Sequence, residues 1–138
     1  MNRDELLQAV DYLEAVVRQD TARLAQIRAS VPPPVTLDWV AAGFALHWIA
    51  SVGQVSDATM SVLTDLRRPA PIAGTLDDRL MTLYGQTLLH WARHRGNRDD
   101  DAIARQVLGL IRATQNTDDA GVLAMLAAIR NVPQATTP

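Results

Sequence analysis

The chain has 138 residues, of which 48% are hydrophobic, and a formal charge of -2. That length suits one domain with a core large enough to fold alone, and the apolar content excludes a disordered chain. Cysteine is absent, which excludes disulfides, thiolate metal sites and cysteine nucleophiles.

All thirteen basic residues are arginine. A surface chosen for bidentate contacts alone would still carry some lysine. The bias therefore points to a GC-rich bacterial or phage coding sequence, and arginine by itself carries little functional weight. The N-terminus, Met1-Asn2-Arg3-Asp4-Glu5, has no apolar run of the kind that opens a signal peptide, so a cytoplasmic protein is expected.

The first predicted helix runs from about Asp4 to Ala29. Leu6, Val10, Leu13, Val17, Leu24 and Ile27 recur at alternating four- and three-residue spacing, a heptad in which Asp20 takes one core position. Valine at one core position and leucine at the other favour a parallel two-stranded pairing. Those six residues are the expected interface of a homodimer, with Asp20 fixing the register. Glu14 and Arg18 are spaced for a favourable i,i+4 pair. Pro32-Pro33-Pro34 then stops the helix.

Thr36 is the expected N-cap of the next helix. Its stripe is Leu37, Val40, Ala41, Phe44, Trp48 and Val52. No formally charged residue lies between Trp39 and Ser56, a stretch approaching the length of a membrane span. It carries His47 and several small polar residues and lacks flanking arginine. It therefore reads as a helix buried on most sides within a bundle, without membrane insertion. A break is expected near Gly53. Ser56 or Asp57 then caps a segment carrying Met60, Val62, Leu63 and Leu66.

Arg67 to Gly74 reads as a loop. Thr75 caps the next helix, whose expected core stripe is Leu76, Leu80, Leu83, Tyr84, Leu88 and Trp91, ending at Gly96. A further helix starts at Asn97 or Asp99 and turns Ile103, Val107, Leu110 and Ile111 inward. Thr117 caps the last, with Val122, Leu123, Leu126 and Ile129 inward. Pro133 ends it, leaving 133–138 as a disordered tail. The sum is an all-α, single-domain bundle of five or six helices spanning 1–132. The triplet Leu46-His47-Trp48 is repeated as Leu89-His90-Trp91, a faint echo of a duplicated hairpin.

Chemistry has few places to sit. His90 and His94 share a helix face at the spacing of metal ligands, but two ligands do not close a tetrahedral site and Arg93 and Arg95 disfavour a cation. His47, within the uncharged helix, is a candidate base or pH-sensitive group. Arg93, Arg95, Arg98, Arg105 and Arg112 form a stripe that can follow phosphates. Asp99 to Asp101 oppose it, Asp101 being spaced to pair with Arg105, and no aromatics interleave for base stacking.

No cofactor and no metal are expected. The leading expectation is a small protein–protein interaction protein, an adaptor, regulatory or assembly subunit that pairs with itself. The alternatives are a helical-bundle enzyme or metal-binding protein using His47, His90 and His94, and a nucleic-acid accessory subunit using the arginine stripe.

Overall fold

A computed structural model describes residues 2–31, 35–53, 76–95 and 100–131. Among them are six helices and no strand: α1 (Arg3–Arg18), α2 (Thr21–Ser30), α3 (Leu37–Gly53), α4 (Leu76–Arg95), α5 (Ala102–Gln115) and α6 (Asp119–Asn131). The protein is an all-α helical bundle.

The expected N-terminal helix is two helices, and Asp20 is the reason. In an apolar seam its carboxylate would be buried without a partner. Instead the chain turns. Gln19 takes a left-handed conformation (φ 53°), and its N–H donates to the Ala15 and Val16 carbonyls. The Asp20 N–H also donates to the Ala15 carbonyl, at 3.0 Å. Asp20 then caps α2, accepting from the Arg23 N–H at 3.0 Å. At the other end of α1, Asn2 and Glu5 form a reciprocal capping box. That signal is present in the sequence at the expected spacing, one turn before the heptad begins.

The heptad residues pack inside the chain itself. Val10 and Leu13 are fully buried, and Leu24 and Ile27 nearly so. Leu6 and Val17 lie half-buried against the same cluster. They join one core with residues of α3, α4, α5 and α6. A dimer seam along α1 is thereby replaced by an intramolecular one.

Helix α3 is central. It packs on α1, α4 and α5, and Val40, Ala41, Ala42, Phe44, Ala45, Leu46, Trp48 and Ile49 are all buried. Thr36 caps it as expected, its hydroxyl accepting from the Trp39 N–H at 3.2 Å. The indole N–H of Trp48 donates to Thr114 Oγ1 on α5 at 2.9 Å, which lets a large polar-tipped ring sit inside. Among the described residues no helix is long and apolar enough to cross a membrane.

Two other expected helix starts move. Helix α5 begins at Ala102, with Asp101 as its N-cap residue in a left-handed conformation (φ 54°). Asp118 rather than Thr117 caps α6, accepting from the Gly121 N–H at 3.0 Å. The expected elements at Pro32–Pro34, the segment from Ser56 to Leu66, the loop from Arg67 to Gly74, the cap at Thr75, the stop at Gly96 and the tail 133–138 lie outside the described residues.

Candidate functional site

Helix α4 differs most from its sequence reading. Its buried residues are Gln86, Leu88, Leu89 and Ala92, with Gly85 on the same face. Gly85 sets that face. A Cβ there would lie 2.7 Å from Leu46 Cδ2 and 2.9 Å from Ile49 Cδ1, closer than real contacts allow. The absent side chain is what brings α4 onto α3. With that face turned inward, the other side of the helix carries further large apolar residues outward. Leu80 is 55% exposed, Leu83 44% and Trp91 41%. The expectation that these three line the core is overturned. The periodicity located a stripe correctly but could not say which of two adjacent stripes faces in.

Five large apolar side chains are exposed among the described residues, Val35, Trp39, Leu80, Leu83 and Trp91. Single exposed apolar residues are ordinary. Three on one side of one helix form a row rather than scattered single exposures. Thr87, exposed between Leu83 and Trp91, turns its hydroxyl back to the Leu83 carbonyl at 2.8 Å. The middle of the stripe therefore presents little unsatisfied polarity.

The histidine pair borders this stripe. His90 and His94 are exposed, their rings stacked with centroids 6.4 Å apart and planes inclined by 10°. Arg93 beside them is exposed as well. Among the described residues no group of three histidine, aspartate or glutamate side chains is arranged to hold a metal ion. His47 stands on α3, half-buried, with the Phe44 ring 6.5 Å away. Burial pushes its imidazole below the ordinary histidine range.

The arginine stripe is only partly a free surface. Arg93 and Arg105 are exposed, but Arg112 is held by Asp119 on α6 at 2.6 Å. Arg98 lies outside the described residues, and Arg95 ends α4. The expected pairing of Asp101 with Arg105 is replaced. Asp101 is buried, and both its oxygens serve the interior. Its Oδ1 accepts from the Tyr12 hydroxyl at 2.6 Å, and its Oδ2 from Arg28 at 2.7 Å. Burial first, then the bond to Asp101, raises the Tyr12 pKa, so the phenol stays protonated as the donor. This triad ties α1, α2 and the start of α5 together, and its polar groups answer one another rather than a ligand.

A second network binds α1 to α2 and α6 at the surface. Arg130 donates to Asp11 at 2.7 Å and also to Glu14. Glu14 holds the expected i,i+4 partner Arg18 at 3.2 Å, and Arg23 approaches Asp11 at 3.6 Å. An open groove of about 590 Å³ runs beside it between α1 and α2, lined in part by Asn2, Glu5, Gln8, Asp11 and Gln26. Leu7 and Ile27 also line it, and of its polar groups Asn2, Glu5 and Asp11 are already engaged in capping and ion pairs.

Comparison with family models, curated proteins and solved structures finds no match to this chain. Function must therefore be argued from the surface itself. The sequence signal that would have located the exposed stripe is the pair of small residues Gly85 and Ala92, which share a helix face with Leu88 and Leu89. A glycine in mid-helix costs about 1 kcal/mol of helix propensity relative to alanine. Close approach of a neighbour is a common reason to keep one there.

Proposed function

We propose that the protein acts by binding another protein through the outer face of α4, as an adaptor, regulatory or assembly subunit. The observation that carries this is the row of Leu80, Leu83 and Trp91 on one side of α4, each more than two-fifths exposed. Leaving three such side chains in water forgoes on the order of 1 kcal/mol or more each. A partner that covers the row recovers that free energy. The flanking His90, Arg93 and His94 supply a polar rim, and aromatic anchors with arginine neighbours are the composition of binding hot spots. The heptad of α1 plays no part, because the chain's own core uses it.

The test is photo-cross-linking in the cells that produce the protein. A benzophenone amino acid replacing Leu83 is expected to give one discrete adduct, and Trp91→Glu in the same chain should abolish it. The same probe at Ala25, exposed on α2, should give none. Absence of an adduct at Leu83, or equal adducts at Leu83 and Ala25, contradicts the reading.

A further inference from the structure

His90 and His94 stand four positions apart near the end of α4, one turn apart on one side of the helix. Both are exposed. Their ring centroids are 6.4 Å apart, and the planes are only 10° from parallel. Among the described residues neither ring is engaged by an acid or a carbonyl. Taking up an ion therefore breaks no hydrogen bond and needs no buried group to be uncovered.

A metal ion held by a ring nitrogen at about 2.0–2.1 Å lies about 3.2 Å from the ring centre. Two imidazoles can thus share one ion with their centres up to about 6.4 Å apart, and bonds at a right angle bring the centres to about 4.5 Å. The observed spacing is at the outer end of that range. Exposed side chains cover the difference by small turns about their own torsions.

The place on the helix also favours a cation. The last turn of a helix carries unpaired carbonyls and about half a negative charge. Against this stands Arg93, exposed beside the pair. Arg93 lies about 100° round the helix from His94, and a long exposed side chain is free to extend away from a bound ion.

We propose that His90 and His94 together chelate one divalent transition-metal ion, Cu2+ or Ni2+ in preference to Zn2+, with water in the remaining positions. Imidazole is a ligand for all three, and affinity at a nitrogen site peaks at copper. The count of two ligands that fails to close a tetrahedral zinc site does not exclude these ions. Tetragonal copper and nickel accept two neighbouring nitrogens and exchangeable waters. Both ligands come from one helix, so the site stands whether or not a partner covers the apolar row.

The test is calorimetric titration of the untagged full chain with Cu2+ and with Ni2+, at mildly alkaline pH, where imidazole is neutral and able to bind. One ion per chain is expected, with a micromolar dissociation constant. His90→Ala and His94→Ala should each weaken binding by roughly tenfold or more, because each removes the chelate. His47→Gln should leave it unchanged, and Arg93→Gln should tighten it a few-fold. Cu2+ should also raise the unfolding temperature of the unsubstituted chain and not that of His94→Ala, since an ion that bridges two turns of α4 binds only the folded state tightly. Binding no tighter than millimolar, binding untouched by either alanine, or binding that needs one imidazole and not the other would each overturn the chelate.

Discussion

The triplet Leu-His-Trp occurs at 46–48 in α3 and at 89–91 in α4; both leucines are buried, but the two tryptophans meet opposite fates. Trp48 is 7% exposed and Trp91 41%. Among the described residues, helix α3 packs on α1, α4 and α5, whereas α4 packs chiefly on α3. A helix enclosed on several sides needs apolar residues all round. A helix with one neighbour needs them on one face only, and any surplus is turned to water. The surplus on α4 is the feature on which the proposed binding face rests. The two tryptophans therefore stand in different surroundings although the residues around them in sequence are the same.

The largest test of this contrast is the tryptophan pair. Trp48→Ala removes a buried ring and its bond to Thr114, and should lower stability by about 3 to 5 kcal/mol. Trp91→Ala should cost under about 1 kcal/mol in dilute solution, where no partner covers the ring. Urea unfolding of both variants checks this. Equal losses would mean that α4 is enclosed as α3 is.

Next comes the glycine that sets the face. Gly85→Leu drives a side chain into Leu46 and Ile49 and should cost about 1 to 3 kcal/mol. Thr87→Leu, two residues on and exposed, should change stability by about 0.5 kcal/mol or less. A tolerated Gly85→Leu would show that α4 does not press on α3 at that point.

A smaller effect separates the first copy of the triplet by pH. Burial lowers the pKa of His47, so the unfolded chain takes up the proton at a higher pH than the folded one. Between the ordinary histidine value of about 6.5 and the lower folded value, the unfolded state binds more protons. Stability therefore falls as pH drops through that window. His47→Gln should flatten this part of the pH–stability curve, measured by thermal unfolding between neutral and mildly acid pH. A curve unchanged by the substitution would mean that His47 is not desolvated in the fold.

How much of this was legible in the sequence follows from the same distinction. Features set within one or two turns were readable: the cap at Thr36, the Glu14–Arg18 pair, the burial of α3 on most sides, and the inward residues Ile103, Val107, Ile111, Val122 and Leu126. Features that depend on a neighbour were not. Asp20 fits a heptad position by count, and only the unfavourable burial of its carboxylate argues for a turn there. Leu80, Leu83 and Trp91 form as good a stripe as Leu88, Leu89 and Ala92, and the choice between them is made by the contact of Gly85 with α3. Asp101 is spaced to meet Arg105 on its own helix, yet Tyr12 and Arg28 arrive from far along the chain and claim both its oxygens. Periodicity reports which residues share a side, whereas the neighbour decides which side is inside.

The most direct measurement compares two cysteines in an otherwise cysteine-free chain, at Leu83 and at Leu89, by the rate of thiol labelling in dilute native protein. Leu83→Cys should react nearly as fast as a free thiol, and Leu89→Cys, whose parent side chain is 2% exposed, only through opening of the fold. Comparable protection at both positions, persisting on dilution, would contradict an outward-facing apolar row on α4.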